Sequence, residues 1–483
     1  MMRGGLVLLV LGLAACALAA PQFNDAEAVE RAEWEPLFRL LKQADEGAIE
    51  PDDNLVKVCS GWSAQELCST IFGSGLSEET AWNEDVGYMP RALVTYEVDY
   101  DNRRVEVWCK YKNPLNQSYV SIFRDGIGCT LVEELTEEEV RAQDLGDMTP
   151  PEPLDPTVAW PVGEGFFPED APVGIDLDCL ANVSAVQFSQ KIPNARAIAV
   201  VYKGQLVFEE YAPGITKDTR LIGWSATKSI TQALLSLVVG DGLLDIYEPA
   251  PVPEWYEEEN DPRQNITVDM MLRMSSGTTW VGDIIPTTEC LFFSNNNCGR
   301  VCGLKPLEAE PDTLWNYNSG SSYLLSRMVM STRGDPQWTN YEWPKQRLFY
   351  PIGAHSMYIE YQPNGNFLGG AYGYATARDW ARFGLLFQRD GVWVDGKRIL
   401  PEGWVDYSST ATHTHEGYAA HFWRNSNIDP KLFIALGFRN QRVYIFPDQE
   451  LVVVRLAMPP LVAEYEWNEG AFYEGFLSCL ARP

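Results

Sequence analysis

A long apolar helix that begins at a Ser-x-x-Lys motif is the strongest constraint in this sequence. Residues 230–239 are rich in Ala, Leu and Val, and residues 240–242 (Gly-Asp-Gly) form a helix stop. Ser225 and Lys228 lie three positions apart just before this run, so on a helix their side chains share one face. The stretch therefore predicts a helix with a hydroxyl and an amine in its first turn.

These two residue types can form a catalytic pair. A serine hydroxyl is a weak nucleophile until a base removes its proton. A lysine that is desolvated can lose its charge and act as that base. The motif alone also fits a simpler interpretation, in which Ser225 is the N-cap of the helix and Lys228 is exposed.

Length and charge limit the remaining possibilities. A chain of 483 residues suggests more than one domain. The formal net charge of −30 argues against nucleic acid and against an anionic lipid surface as partners. It fits a protein that works outside the cell or in a salty medium.

The N-terminus has the pattern of an export signal. Residues 1–20 contain a short positive region, an apolar run at 6–18 and small residues for cleavage at 17–20. The apolar run is too short for a stable membrane span. We therefore expect a secreted, extracellular protein. Residues 13–16 also resemble a bacterial lipoprotein box, so a periplasmic protein or a lipid anchor on Cys16 is the alternative.

The cysteines and glycosylation motifs agree with export. Nine cysteines follow Cys16, and an oxidising compartment would allow several to pair. Proximity in sequence suggests Cys59 with Cys68 and Cys109 with Cys129, although sequence does not determine connectivity. We expect a disulfide-pinned loop rather than zinc at one cluster, which comprises Cys290, Cys298 and Cys302. Glycosylation sequons, which predict a glycoprotein, begin at Asn116, Asn182 and Asn265.

Residues 21–154 read as an N-terminal extension of unknown role. Residues 25–44 predict a helix, and residues 91–99 and 104–112 predict a β-hairpin. The proline-rich stretch 149–156 predicts a linker, so we expect a second domain at 155–483. We expect the extension to pack beside this domain.

Residues after the linker predict an α+β fold. Strand patterns occur near both ends of this region, at residues 195–201, 205–211, 433–436, 441–446 and 451–456. Helical patterns occur between and after them, at residues 265–277, 374–384 and 464–480. This order predicts one sheet assembled from both ends of the domain, with a helical insertion.

Two short motifs and three longer segments occur in a fixed order after the linker. The motifs are Ser225-Ala-Thr-Lys228 and Tyr317-Asn318-Ser319, and the segments are 266–277, 375–379 and 399–404. The motifs match the first two motifs, and the segments resemble scaffold segments, of the class C-like branch of the β-lactamase and penicillin-binding-protein superfamily, which includes esterases and nylon-oligomer hydrolases. The resemblance covers residues from about 175 to 483. The resemblance implies a β-lactamase/transpeptidase-like antiparallel sheet flanked by helices.

The resemblance also implies roles for individual residues. Ser225 would form an acyl-enzyme, Lys228 would accept its proton, and Tyr317 would transfer protons to the leaving group and from water. The backbone N–H groups of Ser225 and Gln441 would form the oxyanion hole. The branch needs no metal or other cofactor. His413, His415 and His421 could bind a metal, but a polar loop is the simpler interpretation.

The third family motif, a strand carrying Lys-Thr-Gly or His-x-Gly, is altered here to Phe438-Arg439-Asn440. A lysine at its first position usually holds a substrate carboxylate, so its absence argues against β-lactam and peptidoglycan substrates. Arg439 either replaces that charge or is a solvated strand residue. We expect Ser319 and these three residues to line the substrate pocket, with Asn440 narrowing it.

These features predict a secreted serine hydrolase that cleaves an ester or amide of a small molecule. The alternative is a protein of the same fold that has lost turnover and serves as a binding or structural module. The intact Ser225, Lys228 and Tyr317 favour the enzyme, whereas the altered third motif favours the alternative.

Overall fold

The computed structural model describes residues 29, 39–44, 46–48, 53–87, 94–110, 118–189, 194–280, 297–334, 339–460 and 468–481. The predicted signal peptide, Cys16, Asn116 and Cys290 lie outside these residues. Of the predicted helix at 25–44, residues 29 and 39–44 are described, and they are helical. In the described part of the chain, no helix is both long and apolar enough to cross a bilayer.

Residues 53–141, which we call the N-terminal region, pair a helix with a four-stranded antiparallel meander. The helices are α1 (Asp53–Cys68), α2 (Glu78–Thr80) and α3 (Glu137–Arg141). The strands, in sheet order, are β1 (Val94–Asp99), β2 (Arg104–Cys109), β3 (Ser118–Arg124) and β4 (Gly128–Leu131). The predicted hairpin is confirmed, with Asp99 opposite Arg104.

The main sheet is assembled from both ends of the following region, as predicted. Its order is β10-β11-β12-β13-β5-β6, and each neighbouring pair is antiparallel. These strands are β5 (Ala195–Tyr202), β6 (Gln205–Tyr211), β10 (Trp423–Arg424), β11 (Phe433–Gly437), β12 (Gln441–Phe446) and β13 (Leu451–Ala457). A small antiparallel sheet contains β7 (Leu221–Ile222), β8 (Tyr358–Ile359) and β9 (Gly373–Ala375).

Helices cover both faces of the main sheet, which confirms the predicted α+β fold. The α-helices after residue 155, in the described part of the chain, are α4 (Leu177–Gln187), α5 (Thr227–Gly240), α6 (Val268–Leu272), α7 (Cys298–Gly303), α8 (Ser319–Ser331), α9 (Thr339–Pro344), α10 (Ala377–Gln388), α11 (Trp404–Ser409) and α12 (Glu469–Ser478). Because side chains alternate along a strand, β5 contributes to two cores. Ala197 and Ala199 pack with α5 and α10, whereas Ile198 and Val200 pack with α4 and α12.

Helix bounds differ from the predicted ones where the backbone changes conformation. The predicted helix at 265–277 is limited to Val268–Leu272, because Met274 adopts a left-handed conformation with φ 59°. The predicted helix at 374–384 begins only after β9. Thr376 caps it by accepting a hydrogen bond from the Asp379 N–H. The C-terminal helix is Glu469–Ser478, and residues 461–467 of the chain before it lie outside the described residues.

Both suggested disulfide pairings are wrong. Cys68 is bonded to Cys129, which joins the end of α1 to β4. Packing of α1 on the meander brings these two residues together, although they are 61 positions apart. A second disulfide joins Cys179 of α4 to Cys479, just after α12. Disulfides of this kind are typical of oxidising compartments.

The N-terminal region packs on the rest of the chain through buried polar contacts. The Glu360 carboxylate accepts hydrogen bonds from the Gln65 side chain, the Ser69 hydroxyl and the Cys129 N–H. Arg196 of β5 pairs with Asp85 at 2.6 Å. Such contacts are stable only when nearly every group is satisfied, so they fix the N-terminal region in one position.

Candidate active site

Ser225 lies in a tight turn, Trp224–Ala226, that connects β7 to α5. Lys228 lies in the first turn of α5, and its Nζ is 3.0 Å from Ser225 Oγ. Ser225 is 7% exposed and Lys228 is 2% exposed. The N-cap of α5 is Ala226, and no side chain caps the helix there. The simpler interpretation, with a capping serine and an exposed lysine, is therefore wrong.

A segment of backbone, residues 369–373, holds the first turns of α5. The Lys228 amine donates to the Gly370 carbonyl at 2.9 Å. The Gly223 N–H donates to the Gly373 carbonyl at 2.8 Å, and the Gly373 N–H donates to the Thr227 hydroxyl at 2.8 Å. A Cβ at Gly373 would lie 2.8 Å from that hydroxyl oxygen, so glycine is required for this close approach.

Tyr317 faces the lysine from the segment before α8. The ring centroid of Tyr317 lies 5.0 Å from Lys228 Nζ, and the residue is 4% exposed. Asn318 caps α8 by accepting from the Ser321 N–H, and its amide donates to the Thr278 carbonyl at 3.0 Å. The first two family motifs are thus brought together, with Ser225, Lys228 and Tyr317 in one buried group.

Aromatic side chains surround Tyr317. Trp423 lies 5.4 Å and Tyr418 6.0 Å from its ring centroid. Trp315, which is half-buried, lies 6.3 Å away and stacks on His415 at 4.0 Å. The wall of the site beside Tyr317 is therefore largely apolar. Ser319, predicted to line the pocket, is the first residue of α8 and is buried.

The altered third motif forms the turn of the β11–β12 hairpin. Phe438 packs its ring against Trp224 at 5.8 Å, and the Asn440 carbonyl accepts from the Arg455 guanidinium at 3.1 Å. Arg439 is 4% exposed, and its guanidinium donates to the carbonyls of Pro459 at 2.9 Å and Glu84 at 2.9 Å. Neither predicted alternative for Arg439 describes it, because it is a buried residue bound to backbone carbonyls.

The hairpin contacts the serine turn directly. A Cβ at Gly437 would collide with the Gly223 carbonyl and would lie 3.0 Å from the Ser225 nitrogen, so only glycine fits there. Gln441 is paired with Gly437 across the hairpin. The Gln441 amide donates to the Arg439 carbonyl at 2.8 Å, which closes the turn.

His421 links three of the elements around the site. One ring nitrogen, Nδ1, lies 2.8 Å from the Leu272 carbonyl, so Nδ1 carries the proton. The other, Nε2, then accepts from the Ser322 hydroxyl at 2.9 Å, and the Ser229 hydroxyl donates to the His421 carbonyl. Burial lowers the pKa of His421 to about 3, so the ring is neutral. Both nitrogens are used, and the residues that the structure describes contain no cluster suited to a metal ion.

An antiparallel sheet flanked by helices, with a serine and a lysine in one turn beside a tyrosine, defines a class of serine hydrolases. Residues 181–458 match the model of the Beta-lactamase family. Because this range is more than half of the 483 residues, the chain belongs to the β-lactamase family, in the superfamily that also contains the penicillin-binding proteins. No curated protein sequence matches the chain.

Solved structures agree on the fold at low sequence identity. A candidate β-lactamase from Bacteroides dorei DSM 17855 is 15% identical with a TM-score of 0.53, over 63% of this chain and 99% of that one. A family VIII carboxylesterase is 14% identical with a TM-score of 0.50, over 63% and 97%.

Several groups around the site were not identified from the sequence. They are the Gly370 carbonyl, Gly437, His421 as a structural link, and Trp62 of α1, which contacts Trp224 at 6.3 Å. The glycines of residues 369–373 were a signal for close backbone approach. Trp62 gave none, because an aromatic residue in a helix usually belongs to a core.

Proposed function

We propose that this protein is a secreted serine hydrolase that cleaves a neutral ester or amide through an acyl-enzyme on Ser225. The observation that carries the proposal is the distance of 3.0 Å between Lys228 Nζ and Ser225 Oγ in a buried turn. That distance allows direct proton transfer. The neutral form of the Lys228 amine is the form that accepts the Ser225 proton.

The reaction takes place in two steps. Ser225 Oγ attacks the carbonyl carbon while its proton passes to Lys228, and the bond to the leaving group breaks as that group receives a proton through Tyr317. Water then attacks the acyl-enzyme, its proton passes to the same pair, and Ser225 regains a proton on release of the acid. Backbone N–H groups of Ser225 and Gln441 stabilise the oxyanion in both steps.

The substrate is neutral at the position of the third motif. Phe438 is apolar and packs on Trp224, and Arg439 already donates to backbone carbonyls. A substrate carboxylate at this position would lose its water without gaining a cation from either residue. The apolar wall beside Tyr317 favours an apolar acyl or leaving group. These features favour simple esters and amides over β-lactams as substrates.

Secretion is part of the proposal. The two disulfides and the export signal support an oxidising destination. Two of the sequon asparagines, Asn182 and Asn265, are exposed and accessible to glycosylation.

The first experiment is covalent labelling of the nucleophile. A fluorophosphonate probe should add one adduct to the wild type, mapped to Ser225, and none to Ser225→Ala. Ser236→Ala is the matched control, because Ser236 is a buried serine on α5, the helix that follows Ser225, and its hydroxyl donates to the Ala233 carbonyl. Equal labelling of Ser225→Ala would exclude Ser225 as the nucleophile. A folded wild type that is not labelled would favour the non-catalytic binding module.

Substrate charge is tested with a matched pair of esters. We expect kcat/KM for p-nitrophenyl butyrate to exceed that for p-nitrophenyl hemisuccinate by about 10–100-fold, which corresponds to the loss of one charged hydrogen bond. Equal or better hydrolysis of the charged ester would contradict the neutral-substrate assignment while leaving the serine mechanism intact.

A further inference from the structure

The residue before Ser225 has an unusual backbone conformation. Trp224 has φ 45°, a left-handed value that is rare for a bulky residue and costs about 1–3 kcal/mol. Such a conformation persists only when its surroundings enforce it. The Trp224 ring is enclosed by Trp62 at 6.3 Å, Tyr372 at 5.9 Å and Phe438 at 5.8 Å. Trp62 is 0% exposed and belongs to α1 of the N-terminal region.

The β11–β12 hairpin, on the opposite side of the active site, also contacts the N-terminal region. The hairpin turn that carries Arg439 (φ 58°) and Asn440 (φ 65°) is also left-handed. The Arg439 guanidinium donates to the Glu84 carbonyl at 2.9 Å and the Asp85 carbonyl at 3.3 Å. These carbonyls belong to the turn Ala81–Asp85 of the N-terminal region. A contact from that region thus fixes the position of the hairpin turn.

The Ala81–Asp85 turn is itself anchored to the main sheet. The Asp85 carboxylate pairs with the Arg196 guanidinium of β5 at 2.6 Å, and the Glu84 carboxylate pairs with it at 3.0 Å. Asp85 and Arg196 are both buried, so separating them would leave an uncompensated buried charge. The Ala81–Asp85 turn therefore connects β5 to the β11–β12 hairpin.

We propose that the N-terminal region positions both sides of the oxyanion hole, with Trp62 holding the Ser225 turn and the Glu84 and Asp85 carbonyls holding the Gln441 hairpin. This inference rests on the proposed function. The two sides touch at Gly437, where a Cβ would lie 3.0 Å from the Ser225 nitrogen. An oxyanion hole needs its two N–H groups at fixed spacing, and a misplacement of about 1 Å can slow a reaction about 100-fold. Trp62 and Arg439 are thus positioning residues, not catalytic ones.

The experiment compares three substitutions by steady-state kinetics with p-nitrophenyl butyrate and by the rate of fluorophosphonate labelling. Trp62→Leu removes the aromatic contact with Trp224. Arg439→Met removes the donors to the Glu84 and Asp85 carbonyls, together with those to the Met458 and Pro459 carbonyls next to β13. We expect kcat and the labelling rate to fall about 10–100-fold in each, with KM changed less than about 3-fold. Trp62→Phe keeps an aromatic edge and should restore most of the rate.

Phe123→Leu is the matched control. Phe123 lies on β3 of the N-terminal region, outside both α1 and the Ala81–Asp85 turn, and its ring packs on Phe72 at 6.4 Å. A purely structural role for the region would slow this variant as much as Trp62→Leu at equal loss of melting temperature. If Trp62→Leu does not unfold cooperatively, Arg439→Met decides the question.

The outcomes separate this inference from the proposed function. A labelled wild type together with wild-type rates in Trp62→Leu and Arg439→Met would overturn the inference alone. A rise in KM with unchanged kcat would also overturn it. That result would mean that the N-terminal region contacts the substrate instead of positioning the oxyanion hole. A wild type that is never labelled at Ser225 would overturn the proposed function, and this inference with it.

Discussion

At the scale of single residues, Lys228 is expected to control the formation of the acyl-enzyme. Lys228→Met removes the amine but keeps an unbranched side chain in the buried position. Release of p-nitrophenol in the first turnover should slow about 10²–10⁴-fold, which is the usual contribution of a general base. Stopped-flow absorbance with excess enzyme measures this rate directly.

Lys345→Met is the control for that experiment. Lys345 is another buried lysine, in the turn Lys345–Phe349, and burial lowers its pKa to about 8. Its removal should leave the first turnover unchanged. Equal slowing in both variants would mean that loss of any buried lysine disturbs the fold, and a wild-type rate in Lys228→Met would mean that another base acts.

Tyr317 is expected to transfer protons to the leaving group and from the attacking water. Tyr317→Phe keeps the ring that faces Lys228 at 5.0 Å but removes the hydroxyl. We expect kcat to fall about 10²–10⁴-fold, because Tyr317 could no longer transfer a proton to the leaving group or accept one from the attacking water. The acyl-enzyme on Ser225 should then accumulate. Intact mass during turnover detects that species. Tyr444→Phe, which removes a phenol bonded to Glu469 at 2.6 Å, should not accumulate it.

The sequence predicted the surroundings of some site residues but not of others. Ser225 and Lys228 were predictable as a pair because three positions in one helix fix their separation. Two partners of Arg439, the Glu84 and Asp85 carbonyls, were not predictable, since they lie more than 350 positions earlier in the chain. A charged side chain in a strand is usually solvated, and only tertiary structure shows that this one is buried.

At the scale of elements, strands were predicted better than helices. The bounds of β12 match the predicted 441–446, because turn residues mark both of its ends. The helix at 265–277 was predicted too long, since its apolar pattern continues past Leu272 while Met274 takes a left-handed conformation. The hydrophobic pattern of a sequence does not show that one residue has a positive φ and ends the helix.

The two disulfides provide a prediction at the same scale. By loop entropy, the bond across 300 residues, Cys179–Cys479, stabilises the fold by about 6 kcal/mol, and the bond across 61 residues, Cys68–Cys129, by about 4 kcal/mol. The variant with serine at both Cys179 and Cys479 should therefore lose more free energy of unfolding, measured with guanidinium. The variant with serine at both Cys68 and Cys129 should lose more kcat, because Cys68 is the last residue of α1, the helix that carries Trp62. The reverse order in either measurement would contradict this account.

At the scale of the whole molecule, two buried carboxyl groups lie where the N-terminal region meets the rest of the chain. Burial, followed by the charge of Asp85, raises the pKa of Glu66 to about 8. Burial also raises the pKa of Glu360 to about 8, and the neighbouring Glu66 adds to the shift. Glu66 accepts a hydrogen bond from the Trp62 indole, so its protonation bears on the contact with Trp224.

These values predict how stability varies with pH. An unfolded glutamate ionises near pH 4.5, so between about pH 4.5 and 8 the folded state binds more protons than the unfolded state. The free energy of unfolding should therefore fall as pH rises through this window, by at most about 1.4 kcal/mol per pH unit for each group. Glu66→Gln cannot ionise, so its unfolding free energy relative to the wild type should rise between pH 5 and pH 8 in urea titrations. Glu138→Gln, on the exposed surface of α3, should show no such rise. The same difference between Glu66→Gln and the wild type at both pH values would mean that Glu66 does not titrate in this window.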